Sequence, residues 1–281
     1  ELKVPSIKFN WRGEPLLNPK LPDFIAYAKS RGILETIINT NATMLDDNKS
    51  KELISAGLDF IIYSFDGGTK ETYEKMRPGR FKKNEFDNVY KNIKRFHKIR
   101  NELKSALPYT KIQMILTEET FDEKELFFKL FADCVDDVSV SPYIERGGEI
   151  SDIDDETRKL YKLALQENDL PEDTPYMKDP KGNFFISTQR KPCEQPFQRL
   201  LVTYEGRVAM CCHDWGASHP VGYVKSTAYK NDNEYDKIVN RARNGDKGFE
   251  LLNNIKKSKV FNETPEKVQP LKDIWYGREI D

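Results

Sequence analysis

From Ser6 onward the chain alternates short apolar runs with longer amphipathic ones. Residues 6–12 (SIKFNWR) place large apolar side chains at alternate positions and read as a strand, stopped by Gly13-Glu14-Pro15. Pro22 and Asp23 open an amphipathic helix over 24–30, which Gly32 closes. Thr36-Ile37-Ile38 is a second strand that ends in the polar run Asn39-Thr40-Asn41, and a helix over 47–56 follows with Gly57 as its stop. Residues 59–63 form a third strand running into Ser64-Phe65-Asp66-Gly67-Gly68. After a short helix over 69–76, the longest helix spans 84–104. Its apolar residues Phe86, Val89, Tyr90, Ile93, Phe96, Ile99 and Leu103 fall at three- and four-residue steps, giving one buried stripe. His97 lies beside that stripe and is assigned no role. Residues 111–116 make a fourth strand, 123–133 a helix ending near a lone packing residue, Cys134, and 138–143 a fifth strand.

Strands that alternate with helices predict an α/β fold with a parallel sheet and right-handed crossovers. The strand ends carry Glu14, Asn39, Asn41, Ser64, Asp66, Gln113 and Ser141. Ligands of parallel α/β sheets sit at the carboxyl ends of the strands, so these groups are expected to converge on one mouth. Any one of them reads equally well as a turn former, a reading that weakens when successive strands repeat the pattern.

Near residue 150 the periodicity stops. Residues 146–155 are a polar linker, a helix runs to about 166, and 169–192 are rich in Pro, Asp and Lys. The expected organisation is a first domain over 1–150, a linker over 151–192, and a small domain over 193–281 that carries a charged insertion near 225–268. The small domain opens on Cys193–Trp215, where a strand through Leu200, Val202 and Tyr204 turns at Glu205-Gly206 into a second through Val208 and Met210. The turn brings Cys193 toward Cys211 and Cys212. Clustered thiolates suit zinc or an iron–sulfur cluster, and the plainer reading is a hairpin with ordinary buried cysteines.

Composition narrows the classes. Hydrophobic residues make up 38% and charged residues 32%, and the formal net charge of −1 gives no electrostatic footprint for nucleic acid. No apolar run reaches the about 18 residues that a membrane span needs. Four cysteines, three of them clustered, fit a reducing cytoplasm better than a secreted disulfide framework. The chain starts at Glu1 rather than Met, so a missing N-terminal segment is expected.

Several motifs together resemble the radical S-adenosylmethionine enzymes with a C-terminal SPASM domain. Arg12-Gly13-Glu14-Pro15-Leu16-Leu17 looks like the family's Gly-Gly-Glu-Pro segment, with Arg12 in place of the first glycine. Thr40-Asn41-Ala42 is similar to its Thr-Asn-Gly, and Ser64-Phe65-Asp66-Gly67 with Tyr73-Glu74-Lys75-Met76-Arg77 to its next strand and downstream arginine. Cys193, twelve residues, Gly206, four residues, Cys211 fits the opening of a SPASM domain, and Cys212-His213-Asp214-Trp215, Val221-Gly222-Tyr223-Val224 and Leu271-Lys272-Asp273-Ile274-Trp275-Tyr276 resemble its continuation.

The resemblance implies a partial (β/α)6 barrel, lacking its first strand and cluster loop, followed by a small hairpin-plus-helix SPASM or twitch-type domain. It implies cofactor-binding roles for Gly13, Glu14, Asn41, Ser64, Asp66 and Arg77: Glu14 for the ammonium of S-adenosylmethionine, Ser64 and Asp66 for its ribose and methionine portion, Arg77 for its carboxylate. It also implies Cys193, Cys211 and Cys212 as ligands of an auxiliary 4Fe–4S cluster. The family's catalytic 4Fe–4S cluster is held by Cys-x3-Cys-x2-Cys, which this sequence does not contain. The late Cys-x2-Cys-x5-Cys is missing as well, and truncation at both ends accounts for both. The full-length enzyme is then expected to generate a 5′-deoxyadenosyl radical and abstract hydrogen from a peptide, protein or carbohydrate-related substrate. Its electron would come from a donor such as flavodoxin or ferredoxin, and the chain as given is expected to be inactive. Two rivals are a zinc-binding interaction module using Cys193, Cys211, Cys212 and His213, and a phosphate-binding barrel enzyme. The second lacks a convincing glycine-rich loop.

Overall fold

The computed structural model describes residues 4–78, 85–142, 176–178, 184–186, 194–209, 211, 212, 214, 217, 220–225 and 270–275. The chain divides into two compact units, one built on residues 3–144 and 150–189, the other on 190–281 with 1–2 and 145–149. The expected boundary near 150, most of the linker and nearly all of the 225–268 insertion lie outside the described residues.

The first unit holds a parallel sheet of β1 (Ser6–Lys8), β2 (Glu35–Thr40), β3 (Phe60–Ser64), β4 (Tyr109–Leu116) and β5 (Asp137–Pro142), hydrogen-bonded in that order. Strands joined in sequence order, with crossovers of one hand, keep their helices on one face. Those helices are α1 (Leu21–Ser30), α2 (Asp47–Ser55), α3 (Lys70–Met76), α4 (Phe86–Glu102) and α5 (Lys124–Phe131). Burial alternates along the central strands, as the period of two requires. Ile38, Thr40, Ile61, Tyr63, Ile112, Met114 and Leu116 are buried toward the helices, while Asn39, Ile62, Ser64, Lys111, Gln113 and Ile115 between them are half-buried. The α4 stripe closes this core with Val89, Ile93, Phe96 and Ile99. Cys134 belongs to it too: it is 4% exposed, and burial pushes its thiol up to about 12.

A second set of contacts fixes the amino ends of the strands, and it occurs twice. Asp59, directly before β3, accepts hydrogen bonds from the Thr36 N–H and hydroxyl, both at 2.8 Å, and pairs with Lys29 of α1 at 2.8 Å. Asp136, directly before β5, accepts from the Thr110 N–H and hydroxyl, both at 2.7 Å, and pairs with Arg100 of α4 at 2.5 and 3.0 Å. In each case an aspartate joins the second residue of the neighbouring strand to the helix that precedes that strand. Burial opposes ionisation of Asp136, but the bonds from Arg100 and Thr110 outweigh it and hold the carboxyl at about 2.

The second unit contains a three-stranded antiparallel sheet of β8 (Leu201–Val202), β9 (Arg207–Ala209) and β10 (Pro220–Tyr223), with β9 in the centre. The short helix α6 (Gln195–Gln198) precedes it, and α7 (Leu271–Trp275) sets buried Ile274 against Gly222 of β10. In the first unit, two further short strands, β6 (Tyr176–Lys178) and β7 (Phe184–Ile186), pair antiparallel. They fall within the stretch read from sequence as irregular. The hairpin turn forms as expected: Thr203 N–H donates to the Arg207 carbonyl and Gly206 N–H to that of Thr203, both at 2.9 Å.

Asp136 carries a stability prediction. Its folded-state value lies below the unfolded one of about 3.9. Its stabilisation is therefore present above about pH 4 and is lost as pH falls toward 2. Allowing for its partial exposure, Asp136→Asn should cost roughly 1–2 kcal/mol in urea unfolding at pH 7. The difference from the native chain should close between pH 4 and 2. A difference that stays constant with pH would contradict the assignment.

Candidate functional site

Register places the polar groups of the strands together. Ser64 stands opposite Gln113 and Gln113 opposite Ser139, while Asn39 stands opposite Ile62 and Ile62 opposite Lys111. Partners in a parallel ladder point to the same side, so Asn39, Ser64, Lys111, Gln113, Ser139 and Ser141 share the face away from the helices. Two side-chain contacts follow that placement: Gln113 Nε2 donates to Ser141 Oγ, and Lys111 pairs with Asp137 at 2.7 Å. Asn39 Oδ1 is buried and has no hydrogen-bond partner among the described residues.

Glu14 follows Gly13, whose φ of +78° suits glycine, and it caps the 3-10 turn Pro15–Leu17. One carboxylate oxygen accepts from Leu16 N–H at 3.0 Å and Thr40 Oγ1 at 2.7 Å, and the other from Asn41 N–H at 2.8 Å. The loops after β1 and β2 are thereby tied together. A carboxylate has about four acceptor positions, so three internal bonds leave roughly one for a ligand cation. Arg12, in the place of a glycine, is exposed, with its guanidinium carbon 4.7 Å from the centre of the Trp11 ring.

Asn41 closes a local turn in which its Oδ1 accepts from Thr43 N–H and hydroxyl at 3.0 and 2.7 Å. Ala42 then takes a left-handed φ of 57°, which accounts physically for glycine at the matching place of the related motif. Asn92 of α4 holds this loop from behind, donating to the Ala42 carbonyl at 2.9 Å.

After β3 the chain continues extended, with Phe65 N–H donating to the Gln113 carbonyl at 3.0 Å. Phe65 is fully buried against Tyr73, Phe86, Phe127 and Phe131, with ring centroids 4.1 to 6.5 Å apart. Asp66 Oδ1 accepts from Ile115 N–H at 2.8 Å, and its Oδ2 accepts from Arg77 Nε and Nη2 at 2.7 and 2.6 Å. Arg77 caps the carboxyl end of α3. Asp66, which the resemblance assigns with Ser64 to the ribose and methionine portion, and Arg77, which it assigns to the carboxylate, are thus paired with each other here. Tyr73 is buried beside them, and burial pushes its phenol up to about 12. The elbow needs glycine: a Cβ on Gly67, at φ +140°, would lie 2.6 Å from Tyr73 N.

The structure therefore gathers Gly13, Glu14, Asn41, Ser64 and Asp66 at the carboxyl ends of neighbouring strands and joins Arg77 to Asp66. Sequence reading missed Thr40, which bonds Glu14, Asn92, which holds the Ala42 carbonyl, and Glu123, which accepts from Gly68, Thr69 and Thr72 just after Asp66. Thr40 lay in view within the Thr40-Asn41-Ala42 motif, and the other two carry no local signal.

In the second unit, Cys211 is exposed and Cys212 half-buried, directly beyond β9 and Met210. Cys193 and His213 lie outside the described residues. Among the described residues no three His, Cys, Asp or Glu side chains stand close enough to hold a metal ion. Nor do the described residues of the first unit fit a three-thiolate cluster, because Cys134 is their sole cysteine and faces the core. No helix among the described residues is long and apolar enough to cross a membrane.

Comparison with known proteins bears on this arrangement. The chain is 38% identical over 65 residues to the Fe-coproporphyrin III synthase of Methanosarcina barkeri, covering 23% of this chain and 16% of that protein. It is 28% identical over 127 residues to the tungsten-containing aldehyde ferredoxin oxidoreductase cofactor-modifying protein of Pyrococcus furiosus, covering 44% and 33%. The chain thus spans a third or less of the length of these relatives. Among solved structures, Streptococcus suis SuiB aligns at 15% identity and TM-score 0.47 over 73% of this chain and 49% of that one. BtrN in complex with AdoMet and 2-DOIA aligns at 15% identity and TM-score 0.40, over 99% and 64%. Residues 12–131, from the loop after β1 to the end of α5, match the model of the Radical SAM superfamily.

Proposed function

We propose that the polar face of the five-stranded sheet binds S-adenosylmethionine, and that the full-length protein is a radical S-adenosylmethionine enzyme. The observation that carries this reading is the register that sets Asn39, Ser64 and Gln113 on one face, inside the stretch that matches the superfamily, with Ser141 of β5 on the same face beyond it. The Asp66–Arg77 pair suits the methionine end of that ligand. An amino acid carries an ammonium and a carboxylate, so it can take over both partners, ammonium on the carboxylates of Asp66 and Glu14, carboxylate on Arg77. Both charges stay compensated in the exchange. Ser64 and Asn41 supply hydroxyl and amide groups to the ribose.

When bound and reduced, S-adenosylmethionine supplies a 5′-deoxyadenosyl radical for hydrogen abstraction. The thiolates of the catalytic cluster are not among the residues of this sequence, whose cysteines are Cys134, Cys193, Cys211 and Cys212. The part of these residues is to orient the ligand and to keep water from the strand ends. A peptide, protein or carbohydrate-related substrate, and an electron donor such as flavodoxin or ferredoxin, belong to the same proposal. Support for a peptide comes only from the SPASM-like order of Cys193, Gly206 and Cys211. In that reading, Cys193 and Cys211, with Cys212 beside them, hold part of an auxiliary cluster.

Calorimetric titration tests the first claim. The chain should bind S-adenosylmethionine, and Arg77→Ala should weaken binding by about 10- to 100-fold, the effect of losing one charge-assisted contact. Equal affinity in the variant, or no binding by the native chain, would sink the assignment. Metal analysis after anaerobic reconstitution tests the second. Iron and sulfide should be retained and should fall in Cys211→Ala, whereas zinc with no iron would contradict it.

A further inference from the structure

Glu123 stands at the junction of the 3-10 turn Phe121–Glu123 with α5, remote in sequence from Asp66 and Arg77. Its carboxylate nonetheless gathers four hydrogen bonds from the elbow after β3. Oε2 accepts from Gly68 N–H at 2.6 Å and Thr69 N–H at 3.1 Å, and Oε1 from the hydroxyls of Thr69 at 2.8 Å and Thr72 at 2.6 Å. Burial opposes its ionisation, but these bonds prevail and hold the carboxyl below its usual range. The packing is as close as the bonding: a Cβ on Gly68 would fall 2.7 Å from the Glu123 carbonyl oxygen and 2.9 Å from Leu126 Cβ. A second, more exposed link, Lys75 to Glu119 at 3.4 Å, joins the same two parts of the chain.

Asp66 lies two residues before the clamped Gly68, and Arg77 lies at the far end of α3. With seven residues, α3 is a strut of about 10 Å whose amino end is held by Glu123 and whose carboxyl end presents the guanidinium. Shifting the held end shifts both members of the Asp66–Arg77 pair relative to Ser64. We infer that Glu123 is a positioning residue for S-adenosylmethionine, setting the Asp66–Arg77 pair through the Gly68–Thr72 elbow without touching the ligand. The inference rests on the reading of the polar face as the S-adenosylmethionine site.

Calorimetry with S-adenosylmethionine on the native chain, Glu123→Ala, Arg77→Ala and the double variant tests it. Glu123→Ala should bind about ten-fold more weakly than the native chain. In the Arg77→Ala background the same change should cost less than about two-fold, because the residue it acts through is already gone. Thr72→Val, which removes one of the four bonds and keeps the shape, should weaken binding by about two- to three-fold. This variant decides the matter if Glu123→Ala fails to fold. Native binding with Glu123→Ala or Thr72→Val equally tight would overturn the positioning role alone. Full additivity in the double variant would also overturn it, by showing a route independent of Arg77. No binding by the native chain would overturn the S-adenosylmethionine reading itself, and this inference with it.

Discussion

The burial of one phenylalanine decides which way the site faces. Phe65 extends β3 by one residue and is locked among the rings of Tyr73, Phe86, Phe127 and Phe131. A buried aromatic of this kind is worth about 3–5 kcal/mol against truncation, far more than any single polar contact nearby. Because side chains alternate along extended chain, fixing Phe65 in the core turns Ser64 away from it. A one-residue slip would turn Ser64 into the core and expose the ring, and nothing in the elbow could compensate for that.

The two ends of the sheet do different work. At the amino ends, Lys29–Asp59–Thr36 and Arg100–Asp136–Thr110 repeat one arrangement, two strands apart, each joining a helix to a strand pair. Every charge there is matched within the fold. At the carboxyl ends the bonds are also internal, and they hold the loops that follow the strands: Glu14 to Thr40 and Asn41, Asn92 to Ala42, Glu123 to Thr69 and Thr72. Short loops held by side chains from distant segments form a mouth whose groups keep their places before a ligand arrives.

Periodicity made most of the scaffold legible, because the stripe of α4 and the alternation in β2, β3 and β4 are local properties of the sequence. The polar strand ends were legible for the same reason, and their common face follows once the strands pair in sequence order. The first strand is shorter than its apolar pattern suggests. Residues 6–12 alternate, yet β1 stops at Lys8, because Asn10 Oδ1 accepts from Asn39 N–H at 2.8 Å. A side chain has replaced the next rung of the ladder. Glu14 and Asp66 were visible as residues but not as partners: their bonds reach 26 to 49 residues along the chain, to Thr40, Asn41 and Ile115. Glu123 lay hidden in an acidic turn for the same reason, since its partners are 51 to 55 residues away.

The central claim is that the carboxyl ends of β1 to β4 receive S-adenosylmethionine. The most direct measurement is the amide-exchange footprint of that ligand on the chain. Binding should slow exchange at residues 13–17, 40–43 and 64–69, and should leave the clamps around Thr36 and Thr110 unchanged. Protection confined to those amino-end clamps, or to the 194–225 hairpin unit, would contradict it.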